Sequence, residues 1–214
     1  MEEKKELRGR IKKILEEKVL HERASSVGLS LEKLSYNCAM NVMKLNEYNS
    51  FDVLFAYMAM NTELDVQIII KDFLARNKTV ALPRMLGTDD NGAGIMDFYT
   101  MPHDLYSENR YLVKGRWGIL EPISSLQAFE MKENTSILVL VPGLAFSYSK
   151  GRVGHGKGYY DLFLQRLKKE ALNKNSIVKL VGICYDEQLL FDELPMEKHD
   201  VFMDVVVSPS KIIR

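Results

Sequence analysis

The residues best equipped for chemistry are gathered between Gly151 and Asp161, where the chain reads Gly-Arg-Val-Gly-His-Gly-Lys-Gly-Tyr-Tyr-Asp. Gly151, Gly154, Gly156 and Gly158 let a backbone approach a ligand closely and turn several N–H groups toward it. Arg152 and Lys157 set two fixed cations beside those amides. A helix opening at Tyr159 adds the partial positive charge of its N-terminus, which suits phosphate. Asp161, just inside that helix, is a carboxylate placed to hold a magnesium ion riding on the phosphates. The segment therefore predicts a phosphate-binding loop.

Two familiar phosphate motifs do not fit it. Gly151 to Lys157 has the GxxxxGK spacing of a P-loop, but Gly158 stands where that motif needs Ser or Thr for the metal. The dinucleotide fingerprint GxGxxG fails because Tyr159 occupies the place of its third glycine. A plain alternative is a tight glycine loop closing over a core. Two cations and a carboxylate in one short loop favour phosphate.

The elements that must position this loop can be read on either side of it. Ile137 to Val141 is an uncharged run of strand length ending at Pro142-Gly143, and Tyr159 to about Leu172 has helical spacing. Residues 2 to about 23 space Leu7, Ile11, Ile14, Leu15 and Val19 as one helical stripe, with Lys4, Arg8 and Lys12 along one side. A second helix is expected from an N-cap at Ser30 to about Leu45, and a third over Leu64 to Leu74. Strands are expected at Phe51–Met60, at Thr79–Leu82 with Pro83 stopping it, and at Ile95–Thr100. Ile177–Cys184 and Val201–Val207 read as strands with a short helix, Glu187–Leu190, between them, and Met101–Lys132 reads as irregular. Strands alternating with helices predict an α/β fold: a three-layer αβα sandwich with a mostly parallel central sheet, Rossmann-like.

With 214 residues the chain is expected to form a single domain spanning 1–214. Basic and acidic residues balance at 29 each, so no overall field recruits nucleic acid or an anionic membrane. Cys38 and Cys184 lack CxxC spacing, which argues against a disulfide framework or a zinc site and fits a reducing compartment. The charged start, MEEKKELRGRIKKILEEK, has no signal-peptide core, and no run approaches the ~20 apolar residues of a membrane span. A cytoplasmic monomer is expected.

Pro142-Gly143-Leu144-Ala145-Phe146 followed by the 151–161 segment resembles the signature of the 5-formyltetrahydrofolate cyclo-ligases, also called 5,10-methenyltetrahydrofolate synthetases. Lys4-x-x-Leu7-Arg8 is similar to that family's N-terminal element, and Trp117 through Pro122 to its Gly-Ile-x-Glu-Pro element. Glu63 resembles its substrate-side acid, and Pro195 through Asp200 its closing Pro-x-Glu-x-His-Asp element. Ser147 and His155 depart from the pattern, which has Asp after the Phe and Arg or Tyr within the loop.

The resemblance implies an ATP- and Mg²⁺-dependent enzyme that closes 5-formyltetrahydrofolate, with or without a polyglutamate tail, to 5,10-methenyltetrahydrofolate. It implies ATP binding by Lys4, Arg8 and the loop residues Arg152, Val153, Gly154, His155, Gly156, Lys157, Gly158, Tyr159 and Tyr160, with Arg152 and Lys157 catalytic. Folate would meet Met58, Glu63, Trp117 and the loop from His155 to Tyr159, and Asp161 and Asp200 would be the metal-side carboxylates. For Lys4 and Arg8 the plain reading is a solvated helix face, for Met58 and Trp117 core packing, and for Asp200 a turn. Two other classes stay open: a folate- or nucleotide-binding regulator without turnover, and an unrelated small kinase using the GxxxxGK spacing.

Overall fold

A computed structural model describes residues 2–24, 30–90, 92–105, 110–115 and 118–214. Helix α1 (Glu2–Ala24) forms on the expected stripe: Ile11, Leu15 and Val19 are buried while the charged residues between them face water. Helix α2 (Leu31–Met43) starts at its N-cap, the Ser30 hydroxyl accepting the Lys33 N–H. After β1 (Val53–Phe55), helix α3 (Gln67–Ala75) and the hairpin β2 (Thr79–Thr88) and β3 (Gly94–Thr100) follow. Then come β4 (Leu112–Lys114), β5 (Leu120–Pro122), β6 (Ser136–Pro142), β7 (Ala145–Ser147) and β8 (Arg152–Val153). Helix α4 (Tyr159–Asn173), β9 (Ile177–Ile183), β10 (Leu189–Leu190), β11 (Val205–Val207) and β12 (Ile212–Ile213) complete the order.

Seven strands make the main sheet in the order β12-β11-β9-β6-β1-β2-β3. The five from β11 to β2 run parallel, and β12 and β3 pair antiparallel at the two edges. β6 lies at the centre with Ile137 to Val141 fully buried, because helices cover both of its faces. Leu138 and Leu140 pack in one cluster with Ile11 and Leu15 of α1, Val42 of α2, and Ile69 and Phe73 of α3. Ile137, Val139 and Val141 point the other way, to Phe163, Leu164 and Leu167 of α4. Each such side chain contributes about 1.5–3 kcal/mol of burial. The layers are therefore helices, sheet, helix, as the alternation of elements predicts.

Six local expectations differ from the structure. The Phe51–Met60 run forms a strand only over Val53–Phe55, and α3 starts at Gln67 rather than Leu64. Pro83 does not stop β2. Its partner Phe98 turns its carbonyl to the Phe129 N–H, so the Pro83–Phe98 pair is one that exchanges no ladder bond, and β1 ends opposite Ala81. A missing N–H therefore costs nothing at that position. Glu187–Leu190 is one turn of 3₁₀ helix, Asp186–Gln188, running into β10, and the strand expected over Val201–Val207 is confined to β11. Within 101–132, β4 and β5 form a two-stranded antiparallel hairpin.

Candidate functional site

The chain lays down β1, runs outward through β2 and β3, then returns to set β6 on the other flank of β1. That reversal opens a crevice at the carboxyl ends of β1 and β6, where ligands bind in open parallel sheets. The two segments leaving those ends are 56–63 and 143–158, and His155 Nε2 faces Glu63 Oε1 across the crevice at 3.9 Å. The glycine-rich loop thus lies at the reversal point.

β7 and β8 form a small antiparallel pair, with β10 beside β7, that delivers Arg152 to the site. The Ser147 hydroxyl accepts the Gly151 N–H at 3.0 Å, so it still tethers this turn where the family pattern has Asp. Arg152 is 3% exposed. Its Nη2 meets Asp161 Oδ1 at 2.8 Å, its Nη1 donates to the Pro142 carbonyl at 3.3 Å, and its guanidinium lies over the Tyr160 ring. Its Nε is buried without a partner. Gly154 is required beside it, since a Cβ there would stand 2.7 Å from Arg152 Nη1. Gly158 is the N-cap of α4 at φ +73° and, being glycine, brings no side chain of its own to cap the first-turn amides. Those donors, with the helix dipole, leave an anion site at the loop's end. Lys157 is exposed and makes no ion pair among the described residues, and its carbonyl accepts the Gly94 N–H at 3.1 Å. Val153 is buried beneath the loop.

The far end of the chain closes the same site. Lys4 is buried, its Nζ 2.6 Å from Asp200 Oδ2 and 3.1 Å from Glu197 Oε2. One turn on, Arg8 Nε donates to the Gly154 carbonyl at 2.9 Å, and Gly156, at φ +91°, passes over its guanidinium. Lys4 and Arg8 therefore both face the site. Burial alone would raise the Asp200 carboxyl, but the Lys4 ammonium and the Glu197 N–H hold it below the usual carboxylate range. Val201 N–H lies 3.4 Å from Asp161 Oδ1, which sets the two aspartates at one place. Both are hard oxygen donors beside the anion site, so their chemistry fits magnesium. Each is ion-paired here, Asp161 with Arg152 and Asp200 with Lys4.

On the opposite wall, Glu63 Oε2 accepts the Met60 N–H at 2.9 Å. Tyr57 OH donates to the Leu64 carbonyl at 2.9 Å and Tyr185 OH to that of Glu63 at 3.4 Å. Burial pushes up all three nearby phenols, Tyr57, Tyr160 and Tyr185 (the last to about 12), and the Glu63 carboxylate adds to it. Met58 is half-buried against the core. Trp117 lies outside the described residues.

The sequence matches the 5-formyltetrahydrofolate cyclo-ligase family over residues 1–209. The chain belongs to that family. Among its relatives, a 5-formyltetrahydrofolate cyclo-ligase of Saccharomyces cerevisiae is 37% identical over 158 residues, 71% of this chain and 72% of that one. The Schizosaccharomyces pombe protein named "Probable 5-formyltetrahydrofolate cyclo-ligase" is 31% identical over 188 residues, 86% of this chain and 88% of its own. The NMR structure of 5,10-methenyltetrahydrofolate synthetase from Aquifex aeolicus superposes with a TM-score of 0.63 at 27% identity, covering 99% of this chain and 92% of that one. A synthetase structure from Mycoplasma pneumoniae, at 17% identity and TM-score 0.62 over 97% and 99% of the two chains, shares the fold.

In this cyclo-ligase-family chain the structure thus brings together Lys4, Arg8, the 152–161 loop and Asp200, with Glu63 facing His155. Glu197 and His199 also converge there: with Asp200 they place ligand atoms within 4.8 Å of one another. Glu197 stands inside the quoted Pro195–Asp200 element, which was the signal for it. Tyr159 is seated by the β2–β3 hairpin, its OH 3.4 Å from the Gly87 carbonyl and its ring over Gly94. A Cβ at Gly94 would stand 2.5 Å from that ring. Gly94→Ala is accordingly expected to lower the stability by about 1–3 kcal/mol. The double variant Gly94→Ala/Tyr159→Ala should recover most of it in denaturant titration, and a single variant as stable as wild type would contradict this seating.

Proposed function

We propose that this protein converts 5-formyltetrahydrofolate and ATP to 5,10-methenyltetrahydrofolate, ADP and phosphate. Supporting the reading is one observation above others: in a chain matched to the cyclo-ligase family throughout, cations from its first helix and its glycine loop meet at the sheet's reversal point.

The formyl group on N5 is a poor electrophile because the nitrogen lone pair is delocalised into its carbonyl. Its oxygen also leaves badly. Transfer of the γ-phosphoryl group of ATP to that oxygen makes it a good leaving group, and N10 then attacks the formyl carbon while the N10 proton is released. Phosphate departs with the former formyl oxygen, and the five-membered ring closes. No protein nucleophile is needed. The protein's work is alignment and charge neutralisation.

Lys157 and the N-terminus of α4 take the phosphates, and Arg152, fixed by Asp161 and Pro142, faces the transferring group. Lys4 and Arg8 hold the rest of the triphosphate. Gly154, His155 and Gly156 form the floor between nucleotide and folate. Glu63 accepts from the donor edge of the pterin, with Met58, Trp117 and Tyr159 against the ring. Asp161 and Asp200 would hold Mg²⁺, which supplies neutralisation of charge on the phosphate oxygens. Residues 1–214 act as one catalytic domain, a cytoplasmic monomer that accepts the monoglutamate or polyglutamate substrate. Among the described residues no helix is long and apolar enough to cross a membrane.

The direct test mixes purified protein with 5-formyltetrahydrofolate, ATP and Mg²⁺ and follows the near-ultraviolet absorbance of the methenyl product. Omission of any one component is expected to abolish the signal. Absence of product while folate still binds in a calorimeter would leave a binding protein without turnover; ATP hydrolysis indifferent to folate would indicate another acceptor.

A further inference from the structure

Glu121, on β5, is 5% exposed, and its Oε1 is buried with no hydrogen-bond partner. Its Oε2 accepts the Met85 N–H at 3.4 Å. Buried carboxylates ordinarily have their acceptor sites filled, because burial without donors costs stability. None of the roles assigned above uses this one. We infer that Glu121 takes the N8–H of the reduced pteridine ring and so selects tetrahydrofolate substrates over oxidised folates. The inference rests on the folate reading above and deepens it.

Position follows from the strand register. The Met85–Met96 pair has the same parity as Pro83–Phe98, so the Met85 N–H also turns away from β3. It points to the flank of β2 that β1 leaves open by ending opposite Ala81. Glu121 therefore stands on the β2 side of the crevice, at the carboxyl end of β1. The β4–β5 hairpin is held there by Arg84, whose Nη1 donates to the Pro122 carbonyl. Gly115 closes over the carboxyl group so tightly that a Cβ at that position would collide with it. That cover keeps bulk water off the carboxylate, so a donor brought by a ligand is worth more there than in solution.

Chemistry narrows the donor. A carboxylate only accepts. The fused ring of 5-formyltetrahydrofolate offers its 2-amino group and N3–H along one edge, and N8–H apart from them; N5 carries the formyl group. Glu63, with Oε2 on the Met60 N–H and Oε1 toward His155, takes the first edge in the reading above. N8–H is left for Glu121. In a fully oxidised pteridine N8 carries a lone pair in place of that hydrogen, and a carboxylate facing it is repelled. One buried acceptor thus favours the reduced ring and penalises the oxidised one.

The test uses the full chain without ATP. Three ligands are titrated calorimetrically into wild type and Glu121→Gln: 5-formyltetrahydrofolate, its 8-deaza analogue with a methylene in place of N8–H, and folic acid. In the variant the Met85 N–H keeps the amide oxygen, which turns the amide NH₂ toward the ring. Glu121→Gln is expected to weaken 5-formyltetrahydrofolate about ten- to hundredfold, to tighten folic acid, and to leave the KM for ATP unchanged. In wild type the 8-deaza analogue is expected to lose a similar factor, an arm that needs no altered protein. Equal losses for the reduced and oxidised ligands in Glu121→Gln would overturn the inference, because they assign the carboxylate to the edge both rings share. So would an 8-deaza analogue that binds wild type as tightly as its parent. Failure of 5-formyltetrahydrofolate to bind the wild-type protein would instead remove the folate reading itself.

Discussion

Lys157→Ala is expected to lower kcat for ring closure by about 10²–10³-fold while leaving the unfolding transition where it is. The side chain is exposed and makes no ion pair among the described residues, and its carbonyl, which alanine retains, bonds to the hairpin through Gly94. Its value lies in charge aimed at phosphate, an interaction that strengthens as negative charge gathers in the transition state. Lys157→Arg keeps the charge on a longer planar group and is expected to recover part of the rate. The measurement is a pair: steady-state rates with ATP and folate varied, and a thermal melt. A variant that loses kcat together with several degrees of melting temperature would show that Lys157 holds the loop rather than the phosphate.

Arg152→Met should behave in the opposite way, losing both activity and stability. Its guanidinium is buried against Asp161, whose side chain is 18% exposed. Removing one partner of such a pair leaves the other charge without compensation, at a cost of about 3–5 kcal/mol. The double variant Arg152→Met/Asp161→Asn removes both charges and is expected to regain most of the stability in urea titration. It is not expected to regain turnover, because the cation over the transferring phosphoryl group stays absent. Equal stability of the single variant and wild type would mean that the pair contributes nothing to folding. Activity in the double variant would remove Arg152 from the reaction.

Much of this was legible in the sequence, for identifiable reasons. Ile137–Val141 could only be a strand covered on both faces, and the glycines with Arg152 and Lys157 marked the loop, because both signals are local and dense. The Lys4–Arg8 spacing by itself was legible as a face, and only the family resemblance raised it to an expected site. On a helix as charged as α1, the contacts to Asp200 and Gly154 then set Lys4 and Arg8 apart from Lys12. Pro83 misled because proline breaks a strand only where its N–H is wanted, and the pairing that decides this lies fifteen residues away at Phe98. The β4–β5 hairpin escaped notice because three-residue strands carry too few residues to show alternation. The facing of His155 and Glu63 follows from sheet order, which local pattern does not encode.

The contacts that complete the site are also among the most distant along the chain, 146 positions from Arg8 to Gly154 and 196 from Lys4 to Asp200. Loop closures of that length come late in folding, after the local helices and hairpins have formed. A refolding chain can therefore show its full far-ultraviolet helix signal while α1 is still undocked and the triphosphate has no cations to meet. Recovered enzyme activity would then trail recovered helicity, and the lag between the two would time the docking of the first helix onto the finished sheet.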